Sequence, residues 1–155
     1  MTFHKKYFTA DKTLPKIIKG ASVQRYRLTD NLSQGQVEYL NEKDYLHDNS
    51  RSKKALHHKL NRIAMQGITG VNDKQRLIMT FVPEGNYCAN SCNYIIINED
   101  NYNPEFVLGL MNSKLFNWIF RKTSTNSNVN CYEVEKFGIN PVSYTHLTLP
   151  TIYSV

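Results

Sequence analysis

The chain has 155 residues, 41% of them apolar and 21% charged. That is one ordinary domain with enough length for a real core, and it excludes global disorder, a collagen-like repeat and a disulfide mini-scaffold. The net charge of +6 is held unevenly: residues 1–76 carry 15 Lys+Arg against 7 Asp+Glu, and residues 77–155 carry 4 against 6. A basic half fits a polyanionic partner, or a solvated face that only keeps the protein soluble; charge by itself leaves both open.

In chain order, residues 1–13 are mixed and polar, as in a frayed terminus or the end of a linker. Leu14 to Leu28 holds short apolar runs broken at Gly20, then alternation through Val23, Arg25 and Arg27. That pattern predicts a strand, a turn and a second strand. Asn31–Gln36 predicts a turn and Val37–Leu40 a short strand. Residues 41–57 are strongly polar, and Asp48-Asn49-Ser50-Arg51-Ser52 stops any helix there. A basic cluster follows: Arg51, Lys53, Lys54, His57, His58, Lys59 and Arg62, with no carboxylate between Asp48 and Asp73. Leu60–Ile68, Leu77–Val82 and Tyr94–Asn98 predict strands.

After Asn103, the spacing predicts one helix over 104–122. Asn is a good N-cap, Pro104 suits the first helical position and Glu105 the positive end of the dipole. Val107, Leu110, Met111, Leu115, Trp118 and Ile119 recur at helical spacing as one apolar stripe, a pattern of core burial. Cys131–Ile139 predicts a last short element. The fold class is therefore α+β, a small mixed or antiparallel sheet with one long amphipathic helix.

Chemistry-bearing motifs are few. There is no phosphate-binding Gly-x-x-x-x-Gly-Lys loop and no Gly-x-Ser-x-Gly elbow. Cys88-x-x-x-Cys92 offers two thiols, but no second pair completes a tetrahedral zinc site, and buried cysteines are the simpler reading. Cys88, Cys92 and Cys131 have no framework spacing, which fits reduced thiols in a cytoplasm. No apolar run reaches the roughly 18 residues of a membrane span. His57 and His58, beside the cations, read as part of a polar face. Asn103-Pro104-Glu105-Phe106 is one residue away from the loop that holds a flipped base in amino-group DNA methyltransferases. With Glu105 in place of the second Pro, it reads as a helix cap. Gly67-x-x-Gly70 resembles the backbone clamp of KH modules, a weak signal that any hairpin can give. Tyr26, Tyr39, Tyr45, Tyr87 and Tyr94 lie in polar surroundings; tyrosine can stack on bases, but most such residues edge a sheet.

Residue chemistry selects Arg25, Arg27, Lys53, Lys54, Lys59, Arg62, Gln66, Lys74 and Arg76 as DNA-binding candidates. Lys and Arg neutralise phosphates, and Arg and Gln can bond bidentately to guanine and adenine edges. No catalytic or metal-binding residue is selected.

The segment Leu108-Gly109-Leu110-Met111-Asn112-Ser113-Lys114-Leu115 resembles the Leu-x-x-Leu-x-Asn-Ser-Lys-Leu helix of TaqI-like C-terminal specificity domains. These are target recognition domains of bacterial N6-adenine DNA methyltransferases and fused restriction–modification enzymes, with related helices in Type I specificity subunits. Other pieces follow in order: Ile17-Ile18-Lys19-Gly20 with Gln24-Arg25-Tyr26, then Lys59 to Ala64, Asn86 to Ile97, and Tyr132 to Pro141. Phe137-Gly138-Ile139-Asn140 departs from the family's usual Leu-Pro-Ile-Pro. The resemblance covers residues 14 to 141. It implies a double-stranded DNA partner and a catalytic domain in the same parent chain or in a partner subunit. S-adenosylmethionine would bind there and not here, so the chain is not an enzyme on its own. It carries over no individual contact residue. Residues 142–155 resemble translated sequencing-adapter read-through, so a non-native tail is expected there and a larger parent chain around the domain. The alternative is a protein-interaction module that docks partner subunits through the 104–122 helix. A free-standing nuclease ranks last, because no carboxylate cluster with a nearby lysine stands out.

Overall fold

A computed structural model describes residues 5–69, 74–97, 103–124, 129 and 134–135. The chain is α+β, with nine short strands and three α-helices among these residues. Phe8–Thr9 (β1), Lys16–Ile18 (β2), Glu38–Leu40 (β5) and Tyr87–Cys88 (β8) form one sheet in the order β1-β5-β2-β8. Its pairs are antiparallel except β2 with β8. Arg62–Gln66 (β6) is the centre of a second, antiparallel sheet, flanked by Met79–Val82 (β7) and Cys92–Ile96 (β9). Val23–Gln24 (β3) and Arg27–Leu28 (β4) make a separate two-stranded hairpin.

β6 explains the layering. Side chains alternate faces along a strand, and here both faces are covered. Ile63 and Met65 join the cluster with Leu108, Met111 and Phe120, whereas Ala64 joins the cluster with Ile17, Leu40 and Tyr94. One strand thus divides two cores, one against the first sheet and one against the late helices.

The predicted strands at 37–40, 60–68 and 77–82 are found shortened, as β5, β6 and β7, and the one predicted at Tyr94–Asn98 starts two residues earlier, at Cys92. The second strand expected through Val23, Arg25 and Arg27 is instead a hairpin turning at Arg25-Tyr26, because Gln24 pairs back onto Arg27. The amino-terminal stretch is more ordered than its composition suggests. Phe8 and Thr9 pair with Leu40 and Tyr39, and Tyr7 is buried with its hydroxyl donating to Asp48 at 2.6 Å. The polar stretch after residue 40 forms the helix Glu42–Asp48 (α1), capped by Asn41 and ended at Asn49. Its anchor is Tyr45, buried edge-on between Tyr7 at 5.6 Å and Tyr87 at 5.5 Å. One aromatic per two turns is too sparse to register as a stripe. A 3-10 turn over Lys53–Lys59 carries the middle of the basic cluster, with Arg51 before it and Arg62 on β6.

The late helix differs most from expectation. Asn103 caps it as predicted, accepting from the Phe106 N–H at 2.8 Å, with Pro104 at its start. It then stops: Pro104–Met111 (α2) and Lys114–Thr123 (α3) are two helices. Asn112 causes the break. Its side chain is fully buried and pairs both ways with the Met79 backbone, accepting from N–H at 3.0 Å and donating to C=O at 2.9 Å. Ser113 leaves helical geometry and its hydroxyl caps α3 by accepting from Phe116 N–H at 3.2 Å. The new axis turns Asn117 and Phe120 inward and leaves Leu115 and Trp118 60% and 59% exposed. Trp118 is therefore not core. Asn117 repeats the device of Asn112: it donates to Lys74 C=O at 2.7 Å and accepts from Arg76 N–H at 2.7 Å. Two buried carboxamides thus bind β7 and its lead-in to the helices, each satisfying backbone groups that burial would otherwise orphan. The predicted element at Cys131–Ile139, apart from Val134 and Glu135, and the whole tail 142–155 lie outside the described residues.

Candidate nucleic-acid interface

Seven of the nine candidate residues fall into three groups, and Gln66 and Lys74 stand apart. Arg25 and Arg27 sit on the hairpin, exposed. Lys53, Lys54 and Lys59 sit on the 3-10 turn before β6, with Lys53 and Lys59 exposed and Lys54 half-buried. These two groups lie toward opposite ends of β6. The turn precedes Arg62, while the hairpin bonds to Met79, the partner of Met65. The strand alone puts about 13 Å between its ends, at about 3.3 Å per residue. Gln66 ends β6, half-buried, and Lys74 is exposed in the segment held by Asn117.

Arg62 and Arg76 form the third group, and both correct the expectation of surface contact. Each is only 1% exposed. Arg62 donates to Asn86 C=O at 2.6 Å and Leu60 C=O at 3.1 Å, and its guanidinium lies 5.5 Å from the Tyr94 ring centre. Arg76 lies 5.2 Å from the Phe120 ring centre. Both guanidiniums are structural fixtures, Arg62 held by carbonyls and a ring and Arg76 packed on a ring, because bringing either to a phosphate means breaking the core around it. Nothing in residue type distinguishes these two arginines from Arg25 and Arg27.

The two histidines also leave the polar face predicted for them. His58 is buried, stacked at 4.6 Å on Tyr87 and 3.4 Å from Glu42. Glu42 in turn accepts from the Tyr87 hydroxyl at 2.7 Å. His57 meets the Tyr94 hydroxyl at 2.9 Å. Burial, then the charges of Arg62 and Lys54, hold the His57 pKa below its ordinary 6.5. Cys88 and Cys92 are buried free thiols, and donation toward Cys88 together with burial pushes the Cys92 thiol up. No group of three metal-ligating side chains occurs among the described residues.

Outside these cores is an open groove of about 540 Å³, lined by residues that include Lys19, Gly20, Ser33, Gln34, Gln66 and Ile68. Gly20 and Gly67 both pack against the Ser91 carbonyl, where an added Cβ would come within 2.5 and 2.8 Å of that oxygen. Gly67 is thus a close-packing residue and not an exposed backbone clamp; Gly70 lies outside the described residues. Lys19 is neutralised by Glu38 at 2.6 Å. Gln34 carries no signal in sequence: only the fold brings its turn to the end of β6.

The hairpin is fixed at two points. Met79 C=O accepts twice, from Tyr26 N–H at 3.0 Å and from Asn112 Nδ2 at 2.9 Å. Arg25 donates to Asn112 C=O at 2.8 Å. The hairpin, β7 and the helix junction therefore meet at one node. Tyr26 is 51% exposed and has φ +66°, a left-handed conformation that costs a non-glycine residue roughly 1–2 kcal/mol.

The family model of the TaqI-like C-terminal specificity domain matches residues 15–141, most of the chain. The chain belongs to that family, one of specificity domains and not of catalytic ones. No curated protein matches it. The Asn-Ser pair that carries the resemblance is the node just described: Asn112 holds β7 and the hairpin, and Ser113 starts α3. No helix among the described residues is long and apolar enough to cross a membrane.

Proposed function

We propose that this chain recognises double-stranded DNA by sequence and presents it to a separate catalytic domain. The parent is a bacterial adenine-N6 methyltransferase or a fused restriction–modification enzyme of the cytoplasm. S-adenosylmethionine binds to that catalytic domain, which supplies the chemistry. Family membership is the observation that carries this reading. The surface supports it. Arg27, Lys53, Lys59 and Lys74 are exposed and make no ion pair among the described residues. They remain available to phosphates, which position a duplex, while Gln66 and Gln34 face the groove with carboxamides suited to a base edge. The test is binding to a mixed-sequence duplex as salt is varied. Counterion release makes such binding weaken steeply between roughly 50 and 200 mM salt. Binding that ignores salt, or none at low salt, would overturn the proposal.

A second reading has its own observation. Leu115 and Trp118 on α3 are exposed at helical spacing. A separate catalytic domain, or a partner subunit, could cover them. In that case Trp118→Ala leaves a stable fold that no longer associates.

A further inference from the structure

We infer that the Arg25-Tyr26 hairpin is the element that enters a groove of the duplex, with Tyr26 set against the bases and Arg27 on a phosphate. This rests on the DNA reading above and assigns it a site. Three observations converge on the hairpin tip. First, it is strained for no local reason. Gln24 pairs with Arg27, so Arg25 and Tyr26 form a two-residue loop. Tyr26 is the only non-glycine residue with positive φ among the described residues. A non-positive φ followed by a positive φ at the second position is the sign pattern of a type II turn, which favours Gly or Asn there. A large aromatic at that position works against the backbone it sits on. Such strain persists only where surrounding structure imposes it, and it concentrates at functional sites.

Second, the surroundings do impose it. Tyr26 N–H is fixed to Met79 C=O and Arg25 to Asn112 C=O. Met79 and Asn112 are both fully buried and bonded to each other. The loop is short and anchored on two sides, so the ring is presented in one place with little entropy left to lose on binding. Third, the chemistry at the tip suits a nucleic acid. The Arg25 guanidinium lies 5.0 Å from the Tyr26 ring centre and 3.5 Å from its hydroxyl, and Arg27 projects from the next position, exposed and without an ion pair among the described residues. A tyrosine beside Arg27 pairs a ring and hydroxyl suited to base edges and thymine methyls in a groove with one phosphate ligand. A ring that served the fold would be covered. This one is half open, although core positions open to tyrosine exist nearby, as Tyr94 shows.

The test uses the whole chain, a pool of duplexes with a randomised centre, and two variants, Tyr26→Asn and Arg27→Ala. Wild type enriches a subset of the pool. Tyr26→Asn removes the ring and relieves the left-handed strain, since Asn tolerates that conformation. Its affinity for the enriched duplexes falls by about tenfold or more, the scale of one base-edge contact. Its salt dependence is unchanged and its thermal midpoint is equal or higher. Arg27→Ala keeps the midpoint and lowers the salt slope by about one. A Tyr26→Asn protein that binds as tightly as wild type overturns the inference and leaves the DNA reading standing. One that loses binding and also melts lower overturns it too, because the ring would then be holding the fold. A wild type that fails to bind any duplex at low salt overturns the DNA reading and this assignment together.

Discussion

Arg62 and Arg27 lie toward opposite ends of β6 in one small protein, one buried and one exposed. Arg62 is sealed under the start of β6, its guanidinium shared between two backbone carbonyls and the Tyr94 ring. Arg27 stands on a hairpin in water. Both have the same charge, and each looks equally fit to bind a phosphate. The contrast teaches that a basic cluster in a sequence is a mixture. Part of it is interior wiring that lets irregular backbone be buried, and only the remainder is available to a partner.

Four substitutions sharpen that contrast, in falling order of their effect on stability. Arg62→Ala leaves the Asn86 and Leu60 carbonyls without their donor and opens space against Tyr94. A loss of about 2–4 kcal/mol is expected, chiefly from the space left by a side chain only 1% exposed, with the part-buried carbonyls adding less. Urea unfolding measures it, and a loss below about 1 kcal/mol would place Arg62 on the surface side of the comparison. Asn112→Ala removes both bonds to Met79 and lets the junction of α2 and α3 relax. Its expected cost is about 2–3 kcal/mol, with faster amide exchange at Met79 and Tyr26. Trp118→Ala on the exposed face of α3 costs under about 1 kcal/mol, against about 3–5 for a buried tryptophan. Thermal or urea midpoints separate these values directly.

The fourth prediction concerns pH. The folded state holds the His57 pKa below 6.5, first by burial and then by the charges of Arg62 and Lys54. The unfolded chain therefore takes up a proton more readily than the folded one as pH falls. The His57 contribution is complete above pH 6.5 and is lost progressively below it, toward the lowered folded value. His57→Gln keeps a neutral partner for Tyr94 and should flatten this part of the stability profile. If the profiles of wild type and variant are parallel below pH 6.5, the interior side of the comparison does not include His57.

How far the sequence could reveal this depends on what each residue's signal encodes. The strands at β6, β7 and β9 follow from apolar runs because burial there needs nothing but apolar side chains. The break at Asn112 escapes a periodicity count because it comes from hydrogen bonds to Met79, 33 residues earlier. Once the helix bends, Trp118 changes sides, so one missed polar contact also misplaces an aromatic. Tyr45 on α1, Tyr87 on β8 and Tyr94 on β9 pack inside, while Tyr26, in similar polar surroundings, is exposed with a left-handed backbone. The candidate interface was legible as a composition, a basic half rich in Arg and Lys. Its partition was not, since exposure is a property of the fold. Gln34 shows the same limit from the other side: its turn is unremarkable until the fold sets it beside Gln66.

The central claim is that the exposed cations, and not the buried ones, meet DNA. The most direct measurement is the salt slope of duplex binding for wild type and for a triple variant, Arg27→Ala, Lys53→Ala and Lys59→Ala. The fold should survive, because none of the three makes an ion pair among the described residues. Each lost phosphate contact lowers the slope by about 0.9, so the account predicts a decrease approaching three, with the urea midpoint unmoved. A triple variant with the wild-type slope would contradict it.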